Sequence, residues 1–194
     1  MSSDPRRLSN MMRILRIPIS DEYLEQISGT APLDVKAMTV KWLNVYHAPA
    51  PKCFAGMSAK RTIVKEVSLN REQHAQSRLQ LVSEIEVTEE LLDRHRNLAQ
   101  AFIVTIIDEC VSSAVSTVDY AEGGPGISPV SLSLNTTFHN PATLGSTLRL
   151  ISTTIAAAGG IQSCGCEVWD LREQRLVANA VYSGMLSSAH RARL

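Results

Sequence analysis

The chain lacks an excess of charge of either sign: lysine plus arginine and aspartate plus glutamate each number 19. A balanced surface offers no electrostatic footprint for nucleic acid or for an anionic membrane, so neither is expected as a partner. It also lacks any charge-free apolar run of the roughly 18 residues that a membrane span needs. Cysteines are few (Cys53, Cys110, Cys164 and Cys166), with no secretory signal and no disulfide-scaffold density. Reduced thiols in a cytoplasmic protein are therefore expected. Cys164-Gly-Cys166 puts two thiols on one strand face, but a metal site needs more ligands and no His-x-His accompanies it. Small core packing is the reading, with no metal and no cofactor. Gly123-Gly124 lacks the strand–helix context of a phosphate loop. Neither an internal repeat nor a low-complexity tract is visible.

What is present starts with a core. Across 194 residues 44% are hydrophobic, enough for one domain of good size. The N-terminus, MSSDPRRLSNMMRILRIPIS, holds four arginines and one acid before Asp21. That is a weak fit to a mitochondrial presequence, which stands as the alternative location. A mobile or docking arm over residues 1–32 is the preferred reading, followed by a single domain over 33–194.

The chain is organised around Ala101–Val118, AFIVTIIDECVSSAVSTV. Its length without glycine or proline exceeds a typical strand, so it reads as a helix. Phe102, Ile103, Ile106, Ile107, Cys110, Val111, Ala114 and Val115 then share a very wide apolar face. Thr105, Glu109, Ser112 and Ser116 form a narrow polar strip beside Asp108. Before it, Pro32–Tyr46 is spaced as one helix face, and His47–Ala59 reads as loop. Ile63–Leu69 and Arg78–Val87 read as a strand hairpin joined by a connection around Gln73–Gln76. The second strand alternates Leu79, Leu81, Ser83, Ile85 and Val87 against polar neighbours. Thr88 caps a short helical turn. After the helix, YAEGGPGISP forces a loop. Strands follow at Val130–Phe138, Thr147–Ala156, Ile161–Asp170 and Arg175–Met185. Connections this short imply antiparallel pairing. One curved sheet folded around one apolar helix buries most of that helix, and a partner copy is expected to cover the face left over.

These residues resemble a known family. VSLSLNTTFHNPATLGSTL, with Val130, Ser131, Phe138, Pro141, Ala142 and Gly145, resembles a segment of hotdog-fold acyl-CoA thioesterases of the phenylacetate-degradation type and their thioesterase-superfamily relatives. There a strand of the form V-S-x-x-x-x-x-x-aromatic leads into x-x-P-A-x-x-G. Upstream, TIIDEC resembles the family's helix with its acidic residue, and GGPGIS resembles the loop between. The likeness spans roughly Ile63 to Met185. It implies an α+β hotdog fold, an antiparallel curved sheet wrapped around a long central helix. It also implies hydrolysis of an acyl-CoA or other acyl thioester by a homodimer or homotetramer, with the cleft between two subunits. Asp108 falls at the family's catalytic carboxylate and acts with Ser131, which positions water or the carboxylate. The family's His-Gly-Gly at the helix start is replaced by Ala99, Gln100 and Ala101, and its earlier asparagine falls near Asp93, with Asn97 close by. The basic residue often found at the last strand turn is replaced by Gly159-Gly160. A non-catalytic hotdog protein, binding a ligand or serving assembly, is thus the alternative, and a hydratase or dehydratase a weaker third.

The residues themselves fit thioester chemistry. Hydrolysis needs an attacking group or a base for water, and donors for the oxyanion. A carboxylate in an apolar helix serves as either, since desolvation raises basicity. Donors come from the unpaired amides at a helix N-terminus, where Gln100 N–H stands, whatever its side chain. Bland readings compete. Asp108 also reads as an interface carboxylate, and Ser131 as a small polar residue on an exposed strand face. Glu109 reads as an outward or salt-bridged neighbour, Cys110 as a buried inert thiol and His95 as a solvated loop residue. The other histidines, His47, His74, His139 and His190, are scattered.

Overall fold

The computed structural model describes residues 11–47, 62–70, 76–156 and 160–185. The first ten residues of the arm, the predicted loop from Ala48 to Ala59 with Cys53, residues 73–75 of the predicted connection, and Gly159 lie outside the described residues. The elements run α1 Asp21–Glu25, α2 Leu33–Tyr46, β1 Ile63–Asn70, β2 Arg78–Glu86, α3 Gln100–Ala121, β3 Val130–Phe138, β4 Thr147–Ala156, β5 Ile161–Asp170 and β6 Arg175–Met185. A 3-10 turn, Glu89–Leu91, follows Thr88, whose side chain makes no capping hydrogen bond.

All six strands form one antiparallel sheet in the order β1-β2-β4-β5-β6-β3. Its inner face wraps α3, the arrangement of a hotdog fold. α3 gains its length from an uninterrupted run without glycine or proline, and Gly123, at φ 85°, sits just past its end. Ile107, Cys110, Val111, Ala114 and Val115 are completely buried there, against Leu81, Leu148, Leu150, Cys164 and Val168 of the sheet's inner face. By composition this 22-residue helix is long and apolar enough to cross a membrane, yet 78% of its most apolar window is buried inside the domain.

The expectation of a leftover helix face is corrected. α2 lies along it within the same chain, with Val35, Val40 and Leu43 joining the core. Thr39 Oγ1 donates to Thr117 Oγ1 at 3.1 Å, and Trp42 Nε1 donates to Gly126 O at 2.8 Å. A partner copy is not needed to cover α3.

The two sheet edges differ. Beside β1, the chain at Ser28–Ala31 runs parallel to the strand: Ser28 N donates to Lys65 O, Val67 N to Ser28 O and Ala31 N to Val67 O, at 3.0 to 3.1 Å. Leu24, Ile27 and Ala31 are buried there. At the other end, β3 pairs with β6 on one side and with no strand on the other among the described residues. It exposes Val130 at 59% and Leu132 at 51%. A long, apolar, unpaired edge invites another strand.

Candidate active site

The site begins where α3 meets this open edge. Ser131 Oγ donates to Asp108 Oδ1 at 2.9 Å, so two residues 23 positions apart in sequence are brought together. Asp108 is half-buried and Ser131 exposed. The pairing of β3 with β6 slips between Ser131 and Ser133, leaving Leu132 as an extra residue. A bulge of this kind bends a strand and re-aims its side chains.

Of the polar strip predicted beside Asp108, Thr105 is half-buried and the other three residues face inward. Ser112 and Ser116 are buried and Glu109 is 8% exposed. Glu109 Oε2 lies 3.7 Å from His47 Nε2, which realises the salt-bridged reading, the imidazole carrying the positive charge only when protonated. Two tyrosines complete the buried layer. Tyr46 shares a 2.6 Å hydrogen bond with Ser128. Burial pushes its hydroxyl upward in pKa, against the opposing help of Ser128 and Ser112. Tyr182 is likewise pushed up by burial, with Ser112 and Ser131 opposing. Both hydroxyls therefore stay protonated donors through the neutral range.

Gln100 lies elsewhere. It is the first residue of α3, after an extended Ala99 at φ −60°, ψ 125° that offers no side-chain cap. The loop before it is pinned on both sides, since Leu98 N donates to Ala142 O at 2.8 Å and Ala99 N to Leu91 O at 2.9 Å. Phe102 and Ile103 amides turn back to Ala99 O. The amides of Gln100 and Ala101 find no acceptor among the described residues. Gln100 lines a cleft of about 260 Å³ together with Asn97, Phe138, His139 and Asn140. A helix N-terminus with free amides suits a developing oxyanion.

Asp108 is eight positions further along α3 than Gln100, roughly 12 Å at 1.5 Å per residue. One chain brings Asp108 and Ser131 together and leaves the Gln100 amide a separate half. In sequence His139 is one of several scattered histidines. It lines the Gln100 cleft, with its Nε2 2.6 Å from Asn179 Oδ1. No local pattern announces that placement, because β6 sets it. His95 is exposed, as read. Cys164 and Cys166 are buried core thiols; burial pushes Cys166 up to about 12, so neither is a nucleophile at neutral pH. Among the described residues no group of acids, histidines and cysteines is placed to hold a metal.

The family model described as the thioesterase superfamily matches residues 95–177, a span that takes in Gln100, Asp108 and Ser131. Zebra fish thioesterase superfamily member 2 is similar in structure, with a TM-score of 0.58 and 16% identity, over 75% of this chain and 93% of that one. The mouse thioesterase superfamily member 2 gives a TM-score of 0.58 and 15% identity, over 77% of this chain and 98% of its own. At such identity the likeness speaks for the fold. No curated protein matches the chain in sequence.

Proposed function

Taking residues 95–177 as a thioesterase-superfamily domain of hotdog type, we propose that the chain hydrolyses acyl thioesters of coenzyme A or a carrier protein, in a cleft completed by two copies. The observation that carries this reading is the 2.9 Å bond from Ser131 to Asp108. It occupies one carboxylate oxygen and leaves the other for water. In the proposed step Asp108 takes a proton from water while the water oxygen adds to the thioester carbonyl. The resulting oxyanion is met by the Gln100 amide. Its collapse expels the thiolate, which takes up a proton, and releases the carboxylic acid. Direct attack by the Asp108 carboxylate, which expels the thiolate and forms a mixed anhydride, is the other route; hydrolysis of that anhydride at the aspartyl carbon would leave the isotope of labelled water in Asp108.

Two copies are supported by the roughly 12 Å separation of the half-sites and by the open β3 edge. If β3 pairs antiparallel with a second β3 about a two-fold axis near Leu134, Val130 of one copy falls opposite Phe138 of the other. Asp108 and Ser131 sit at the first end, and Phe138 borders the Gln100 cleft at the second. Each carboxylate thereby approaches the other copy's free amides.

The test is a screen of short, long and aryl acyl-CoAs with thiol release as the readout. A second reading, a non-catalytic binding or assembly protein, is favoured by Ala99, Gln100 and Ala101, which replace the His-Gly-Gly usual in the family the sequence resembles. Absence of thiol release across the whole screen would select it.

A further inference from the structure

Beside the Asp108–Ser131 pair lies a buried tyrosine that the proposed hydrolysis does not use. Tyr182, on β6, is 0% exposed, and its hydroxyl meets no partner at hydrogen-bonding geometry, although the Ser112 and Ser131 hydroxyls flank it. Two residues on, Gly184 makes room for it. A Cβ at Gly184 would overlap the Tyr182 hydroxyl oxygen and lie 2.8 Å from its Cζ, and the glycine has no left-handed φ to require it otherwise. Gly184 pairs with Ser131 on one side and with Gln162 on the other. Gln162 is itself buried, with neither amide atom bonded. So the hydroxyl sits over a rung whose neighbours are Ser131 and a second unpaired polar side chain.

A buried hydroxyl whose nearest partners, Ser112 and Ser131, stand outside hydrogen-bond geometry costs stability, and phenylalanine would fill the same space without that cost. Keeping both the hydroxyl and the glycine beneath it points to use. Resting on the hydrolase reading above, we propose that Tyr182 is a positioning residue: with substrate seated, its O–H donates to Ser131 Oγ. Ser131 is then fixed as the donor to Asp108 Oδ1, and the second carboxylate oxygen stays free for water. Burial keeps the phenol protonated, so it has a proton to give across the neutral range.

The test is Tyr182→Phe in the full chain, alone and combined with Ser131→Ala. The expected result is a fall in kcat of about tenfold with KM nearly unchanged, the worth of one hydrogen bond. In the Ser131→Ala background the same change should have no further effect, because Tyr182 acts through Ser131. The variant should also melt higher than wild type, by about 2–4 °C, since it removes an unpaired buried group. Wild-type kcat, full additivity with Ser131→Ala, or a lower melting temperature would each overturn the proposal. A wild type that releases no thiol would instead overturn the hydrolase reading. The melting comparison would still decide on Tyr182: a higher value upholds a hydroxyl kept at a cost, and a lower one marks it as structural.

Discussion

Gln100→Pro separates the two halves of the proposed site. Gln100 is the first residue of α3, where proline is well tolerated, and Ala99 before it is already extended, as the residue preceding a proline prefers. The substitution thus removes one amide N–H and leaves the helix in place. Loss of an oxyanion donor costs about 10²–10³-fold in kcat, whereas Gln100→Ala, which keeps the amide, should stay near wild type. The roughly 12 Å between Gln100 and Asp108 then makes a sharper demand. Gln100→Pro and Asp108→Asn should each be inactive alone, but a refolded equal mixture should regain activity. In a mixed dimer one cleft joins an intact Asp108 to an intact Gln100 amide, while the other lacks both. Half the dimers are mixed and each has one working cleft of two, so about a quarter of wild-type thiol release is expected. No recovery from a mixture shown to contain mixed dimers would refute the shared cleft.

Other outcomes follow from the same geometry. Ser131→Ala should lower kcat by about tenfold or somewhat more, because it removes one bond to a charged oxygen, and steady-state thiol release checks it. Leu132→Lys, on the open edge of β3, should convert the assembly to monomers in sedimentation at low micromolar concentration; an unchanged mass would place the interface elsewhere. Stability should fall as pH rises from about 8 to about 11, because the Cys110, Cys166, Tyr46 and Tyr182 groups are all pushed up by burial. Their neutral forms are favoured in the fold, so that contribution is full below the ordinary thiol value of 9.0 and is lost as pH climbs beyond it. Denaturant unfolding at the two pH values measures this.

Much of the fold was legible because it rests on local pattern. Four strands, β3 to β6, begin and end where alternation and turn residues place them, and α3 extends only to Gln100 and Ala121 beyond its predicted span. The likeness to hotdog thioesterases also placed Asp108 and Ser131 within one constellation. What could not be read is non-local. Nothing in the period of α2 announces that Thr39 meets Thr117 or that Trp42 reaches Gly126, so in sequence the covered face of α3 looks open to a partner. The same holds for His139 in the Gln100 cleft, set by pairing across to β6. Tyr182 reads in the sequence as one more alternating apolar position. Only the missing side chain at Gly184 reveals where its hydroxyl goes.

The proposed role of Asp108 in acyl-thioester hydrolysis is tested by thiol release from a panel of acyl-CoAs with wild type, Asp108→Asn and Glu109→Gln. Asparagine is nearly isosteric, so packing around α3 should survive, but it neither attacks as an anion nor accepts a proton from water. Wild type should turn over, Asp108→Asn should lose at least about 10²–10⁴-fold in kcat with an unchanged melting temperature, and Glu109→Gln should stay close to wild type. Full activity in Asp108→Asn, with Glu109→Gln the inactive variant, would contradict that role.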